Sequence, residues 1–127
     1  MYLLKRSSPF EKSLKKLIKK HPYRDAIIEN LKEINQGLAE DPSFSNSTVD
    51  ASLEPLSSKI LSNVNLKFWK IRFMVGTGAS GKIRLMYLVN DLEKVVILVY
   101  IYDHKQYTKR PANDLLKAWI NDAIDEI

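Results

Sequence analysis

The sequence predicts an α+β fold: an N-terminal helical hairpin packed on a small antiparallel sheet, with a C-terminal helix. Three observations lead there. Apolar residues recur at helical spacing between Phe10 and Leu38. Between Lys67 and Tyr102 they alternate or run together in short stretches, and helical spacing returns after Pro111. With 127 residues, 45% of them hydrophobic, the chain fits one domain spanning residues 1–127 around a single core.

Residues 2–6 predict a short strand. Ser8, Pro9 and Glu11 then predict a helix start, with serine as N-cap, proline at the first helical position and glutamate placed to close a capping box. Phe10, Leu14, Leu17 and Ile18 form its buried stripe, while Lys12, Lys15, Lys16, Lys19 and Lys20 lie mostly away from it. His21 and Pro22 end the element, and turn chemistry accounts for this histidine. A second helix is expected from Tyr23 to about Ala39, with Ile27, Leu31, Ile34 and Leu38 as its stripe, stopped by Asp41 and Pro42.

Residues 43–66 are serine-rich; Leu53, Leu56, Ile60 and Leu61 predict a short helix there that packs back on the core. From Lys67 to Val75, alternation sends Trp69, Ile71, Phe73 and Val75 to one face and Phe68, Lys70, Arg72 and Met74 to the other. Gly76 to Gly81 supplies a loop, read as a mobile hairpin tip, and Lys82 to Val89 returns. Asn90 and Asp91 turn the chain into Lys94 to Tyr102, whose nearly unbroken apolar run implies burial on both faces. Pro111 to about Glu126 closes the chain as a helix with Leu115, Leu116, Trp119, Ile120 and Ile124 facing inward.

Composition removes several classes of chemistry. Without cysteine there is no disulfide, no thiolate metal site and no cysteine nucleophile. The longest apolar run, Val95 to Tyr102, is too short to span a bilayer. The first residues lack the long apolar stretch of a secretory signal, so a cytoplasmic location and no membrane partner are expected. The net charge is +5 and unevenly spread. Residues 1–24 carry eight basic side chains and one acid, residues 25–66 two and seven, residues 67–110 nine and three, and residues 111–127 one and four. A basic head and a basic late-middle segment could share one face and attract a polyanion.

The sharpest feature is the stretch from Lys67 to Asn90, which holds Lys67, Lys70, Arg72, Lys82 and Arg84 and no acid. If Arg72 pairs opposite Arg84, Met74 faces Lys82 and four cations crowd one surface. Like charges across a sheet destabilise it, and a bound polyanion is the simplest reason to tolerate them. The bland alternative is a solvated face whose acids come from elsewhere in the fold. After the third strand of this sheet come His104, Lys105 and Tyr107. Cleaving RNA without a metal requires deprotonating the 2′-OH, stabilising a crowded phosphate and protonating the leaving 5′-oxygen. Lys70, Arg72, Arg84 and Lys105 could serve the phosphate. His104 or Tyr107 could handle protons, and Tyr107 could instead stack on a base. Equally, His104 could be a surface histidine and Tyr107 a lid on the core.

Two other patterns are set aside. Gly76 to Lys82 spells GxxxxGK, but Ile83 follows where a magnesium-binding Ser/Thr belongs, and a strand is expected in place of a helix. The lysine-rich first helix suggests a membrane surface, yet its apolar stripe is narrow and the core needs it.

The stretches Phe68 to Phe73, Gly81 to Tyr87 and Val95 to Tyr100 resemble the sheet of RelE/ParE superfamily toxins. The preceding helical hairpin, the Asp41-Pro42 break and the closing helix agree in order, so the resemblance covers most of the chain. The 43–66 insert and the glycine-rich tip are longer than the family pattern. The resemblance implies the toxin of a type II toxin–antitoxin system. In the RelE branch such toxins act as ribosome-dependent mRNA endonucleases, by attack of the 2′-OH on the adjacent phosphate. It implies the RelE-like fold, a cognate antitoxin, the ribosome and mRNA as partners, and neither cofactor nor metal.

By the same resemblance Lys70 and Arg72 match the basic pair on the first hairpin strand, and Arg84 the arginine on the return strand. Lys105 falls near a further arginine position, and Tyr107 is similar to the tyrosine after the last strand. His104 to Tyr107 is closer to the His-x-x-Tyr ending of HigB-type toxins. The expected catalytic set is therefore Lys70, Arg72, Arg84, His104, Lys105 and Tyr107. The expected RNA-binding set is Lys67, Lys82, Lys15, Lys16, Lys19 and Lys20. Two other functions fit the same fold: a ParE-like inhibitor of DNA gyrase, and an RNA-binding protein that does not cut.

Overall fold

Alternation between Lys67 and Tyr102 builds the centre of the fold. The computed structural model describes residues 1–56, 60–61 and 65–126. Its elements run β1 (Leu3–Arg6), α1 (Ser8–Ile18), α2 (Arg24–Glu40), β2 (Val49–Leu53), β3 (Leu66–Met74), β4 (Lys82–Asn90), β5 (Val95–Asp103) and α3 (Asn113–Asp125). The α+β class is as expected, and each predicted strand and long helix lies within a few residues of its predicted place.

The sheet departs from expectation in two ways. It has five strands in the order β1-β5-β4-β3-β2, and it is mixed, because β1 pairs parallel to β5 while the other pairs are antiparallel. The added strand is β2, inside the serine-rich stretch. Leu53, expected in a helix, instead ends β2 and is exposed, while Leu56, Ile60 and Leu61 do pack against the core. Residues 57–59 of that predicted helix, and residues 62–64 beyond it, lie outside the described residues.

The sheet divides the apolar interior into two layers instead of one core. On one side, Phe10 and Leu17 of α1 and Ile27, Ile34 and Leu38 of α2 cover Ile71, Phe73, Ile83, Leu85 and Tyr87. On the other, Leu116, Ile120 and Ala123 of α3 cover Phe68, Met86, Leu88, Ile97 and Val99. Leu115, expected to face inward, is 41% exposed; Ala123 takes the buried place on that stripe.

A bulge decides what the second face displays. In the β4–β5 ladder Met86 pairs with Tyr100 but Tyr87 pairs with Leu98, which leaves Val99 as the extra residue. Val99 and Tyr100 therefore both touch the α3-side layer, and Tyr102 follows two residues on. Without the bulge, alternation from Ile97 and Val99 would carry Ile101 to this face and turn both tyrosines away.

Helix α1 starts one residue earlier than its sequence suggests. Ser7 is the N-cap, accepting from the Phe10 N–H at 3.2 Å, and its hydroxyl donates to the Leu98 carbonyl at 2.7 Å. Tertiary contact thus selects between two adjacent serines. The capping box does not form: Glu11 instead pairs with Arg6, 2.6 Å from its Nε, and the Ser8 N–H donates to the Glu126 carboxylate. Farther along α1, the Ser13 hydroxyl accepts from the Ile101 N–H at 3.0 Å. The two serines thereby satisfy the β5 edge. Ser7→Ala, losing the cap and one of the two Ser7 donors to the Leu98 carbonyl while its backbone N–H remains, is expected to cost about 1 kcal/mol. A urea melt compared with that of Ser8→Ala, which is expected to change little, checks this.

The hairpin tip is a single 3-10 turn, Ala79–Gly81, leading directly into β4, so the GxxxxGK phrase opens no helix. Instead of hanging free, the tip is tied to the start of α2. A side chain at Gly76 would overlap the Tyr23 ring, and the Tyr23 hydroxyl lies 3.3 Å from Thr77 Oγ1.

Candidate nucleic-acid interface

The expected hairpin register is present. Arg72 stands directly opposite Arg84, and Met74 opposite Lys82. Period-two alternation then places Lys70, Arg72, Lys82 and Arg84 on the face that carries α3. Lys67 does not join them. It falls on the opposite parity, among Trp69, Ile71 and Phe73, and its ammonium sits 3.6 Å from Asp91 in an exposed pair.

The four cations are held differently. Lys70 is buried, and its ammonium pairs with Glu54 Oε1 at 3.1 Å. The other oxygen of Glu54 lies 3.5 Å from Arg110, which also donates to the Pro55 carbonyl at 2.7 Å. Arg72 donates to the Ser52 hydroxyl at 3.2 Å, although Asp50 is its partner across β2. Arg84 donates to the Ile83 carbonyl at 3.2 Å. Among the described residues, no carboxylate comes within ion-pair distance of Arg72, Arg84 or Lys82.

Electrostatics match this crowding. Burial, and then the guanidinium of Arg72, lower the pKa of Arg84 from its ordinary value. Burial also holds Lys70 below the ordinary lysine range, with Glu54 pulling it back up and Arg72 and Arg84 pushing it further down. Tyr102, next to Arg84 in the ladder, is raised to about 12, mainly by burial, so it remains a protonated hydrogen-bond donor at neutral pH.

Aromatic rings continue the surface. Tyr107 meets Tyr102 edge-on at 5.4 Å, and Tyr100 stacks on Trp119 at 3.6 Å. Tyr107 is half-buried, as expected of a residue that either lids the core or offers a ring to a base. Past the end of β5, the His104 N–H donates to the Lys82 carbonyl at 2.9 Å, which extends the ladder and sets His104 across from Lys82. His104 is half-buried and Lys105 exposed, and no side-chain partner is found for either among the described residues. Lys15, Lys16, Lys19 and Lys20 are exposed along α1 and just beyond it; Lys16 reaches the cleft between α1 and α3.

Two structural partners of this site were missed in the sequence. Glu54 lies in the serine-rich stretch, where nothing in its neighbours marks it; an acid two residues beyond Ser52, on the same parity as Asp50, would be the only hint. His21 is more than a turn residue. Its Nδ1 accepts from the Tyr23 N–H at 3.0 Å, so Nε2 carries the proton that faces Asp103 Oδ2 at 3.2 Å. Asp103 Oδ1 in turn accepts from the Gln106 N–H at 2.8 Å. This buried pair fixes the turn on which His104 and Lys105 are carried.

No family model matches the chain, and neither does any curated protein sequence. Several solved structures resemble it, among them the three that follow. The chain is 19% identical to a chain of the archaeal RelE–RelB complex from Pyrococcus horikoshii, covering 80% of this chain and 93% of that one at a TM-score of 0.48. A conserved hypothetical protein from Helicobacter pylori is 15% identical over 84% of this chain and 98% of its own, with a TM-score of 0.45. A mutant of E. coli toxin RelE in the free state is 14% identical over 99% and 97%, with a TM-score of 0.36. Likeness at this level leaves the chemistry to be judged on the chain's own residues. No helix among the described residues is long and apolar enough to cross a membrane.

Proposed function

We propose that this chain is a cytoplasmic toxin of the RelE/ParE kind that cleaves mRNA on the ribosome and is neutralised by a cognate antitoxin. One observation carries the reading. Arg72 and Arg84 face each other across the hairpin with no carboxylate in ion-pair distance among the described residues, beside the half-buried ring of Tyr107. A polyanion with π-faces answers both features, and RNA has both.

In this reading Arg72 and Arg84 hold the scissile phosphate and stabilise the charge that builds when the 2′-OH attacks it. Lys82 and exposed Lys105 steer the backbone inward. Lys70 is not free to grip a phosphate, because Glu54 already neutralises it. Its role is to fix the floor of the site, with Glu54 positioning it. Proton transfers fall to His104, carried across from Lys82, and to Tyr107, which can also stack on a base. Lys15, Lys16, Lys19 and Lys20 add phosphate contacts along α1. An acidic antitoxin segment suits the same basic face.

The buried pairing of Lys70 gives a specific reason to keep a second reading, an RNA-binding protein that does not cut. A cell-free translation reaction with mapped mRNA ends separates the two. New 5′-hydroxyl ends within messages, at positions that depend on ribosome occupancy, are expected. Intact messages with tight, salt-sensitive RNA binding would leave the binding protein. Intact messages with loss of DNA supercoiling would indicate a gyrase inhibitor instead.

A further inference from the structure

A cleft of about 310 Å³ opens between α1 and α3 beside β5, lined by Pro9, Lys12, Lys16, Tyr100, Trp119 and Asp122. None of these was assigned a chemical role above except Lys16. Its volume falls in the range of small-molecule sites. Lys12 and Lys16 stand one helical turn apart on its α1 wall, exposed, and neither is in an ion pair among the described residues. The opposite wall carries the stacked rings of Tyr100 and Trp119, with the Asp122 carboxylate at the rim.

The cleft is also connected to the cationic hairpin. From Arg84 the path crosses to Tyr102, its partner in the ladder, and then to Tyr107, whose ring is 5.4 Å from Tyr102 and 6.1 Å from Trp119. Tyr100 and Tyr102 are only 6.4 Å apart, and both reach this face because of the bulge at Val99. Tyr102 is buried beneath this path and Tyr107 is half-exposed, so a strand of RNA lying on Arg72 and Arg84 would pass over Tyr107 to reach a second basic wall.

We propose that the cleft between α1 and α3 is a nucleotide subsite, placing the base of a flanking residue against Trp119 and its phosphate on Lys12 and Lys16. The proposal rests on the reading that the sheet face binds RNA. Asp122, an acceptor at the rim, favours bases that offer an amino group, cytosine over uracil.

The test uses the full chain carrying Trp69→Phe, so that Trp119 is the reporter, and uncleavable 2′-O-methyl di- and trinucleotides. The third nucleotide is expected to tighten binding about tenfold and to quench Trp119 fluorescence. The pair Lys12→Gln and Lys16→Gln should abolish that increment. The pair Lys32→Gln and Lys94→Gln, with the same loss of charge outside the cleft, should keep it. Asp122→Asn should remove the preference for cytosine in the third position. Arg84→Gln should weaken both oligonucleotides and leave the increment intact.

Equal affinity for the two oligonucleotides in the unsubstituted cleft overturns the subsite while leaving the sheet reading standing. Binding of neither overturns both. An equal drop in the two lysine pairs, or equal binding and quenching by an acidic peptide of matched charge, also overturns it, because the cleft would then be a general anion surface.

Discussion

Arg84→Gln is expected to reduce mRNA cleavage by about 10²- to 10³-fold while making the protein slightly more stable. Loss of one preorganised donor to a developing oxyanion is worth about that much in rate. The gain comes from the other side of the same geometry. Arg84 faces Arg72 across the ladder, and relieving like charges at a cross-strand position returns a few tenths of a kcal/mol, up to about 1. Few surface substitutions combine lost activity with gained stability, so the pairing of the two effects is diagnostic. Arg72→Gln should repeat the pattern, and the double variant should be no less active than the worse single one. Mapped cleavage ends and thermal melts of the same samples check both halves. An Arg84→Gln protein that still cuts at the parental rate would remove the phosphate from this hairpin.

Glu54→Ala carries the largest expected cost in stability. The side chains of Lys70 and Glu54 are 9% and 6% exposed, and removing the acid strands a buried ammonium. Such deletions cost about 3–5 kcal/mol, a large fraction of a small domain's stability. Replacing both partners at once, Glu54→Leu with Lys70→Met, should recover most of the loss, because the expense lies in the unmatched charge. Urea melts of the two singles and the double, arranged as a cycle, measure the coupling.

The pH dependence has a definite sign. Burial already holds Lys70 below its ordinary pKa, and Glu54→Gln removes the group that pulls it back. The unfolded chain would then bind a proton that the folded chain gives up. Stability of Glu54→Gln should therefore rise with pH over the window below the ordinary lysine value of about 10.4. A melting temperature of this variant that falls between neutral pH and pH ~9.5, relative to the parent, would contradict the assignment.

Much of this was legible in the sequence because period two is a strong signal in a half-buried strand. From Leu66 to Met74, parity alone sorts Ile71 and Phe73 from Phe68, Lys70 and Arg72, and the Arg72–Arg84 register follows once the hairpin is recognised. Strand β2 lacks that signal. Val49 is its one fully buried residue, Leu53 is exposed, and Asp50 and Ser52 read as loop. An edge strand held mostly by main-chain bonds leaves little trace in side-chain chemistry. Glu54 was hidden for the same reason, since its partner Lys70 lies sixteen positions on and is brought to it only by the β2–β3 pairing. The bulge at Val99 is invisible in a run of Val, Ile, Leu and Tyr where either parity looks equally apolar. The site as a whole was therefore visible as a list of cations, while which ones are free and which are locked required the fold.

The parallel pairing of β1 with β5 has a consequence for how the protein is made. Leu3 meets Val95 and Arg6 meets Leu98, so the two partners stand 92 positions apart in the sequence. During synthesis the first strand must wait, its main-chain groups tended by water alone, until the last strand has emerged. At roughly 5–20 residues per second that delay is on the order of 5–20 seconds. The β3–β4–β5 meander, whose partners lie close in sequence, can then form before β1 completes that side of the sheet.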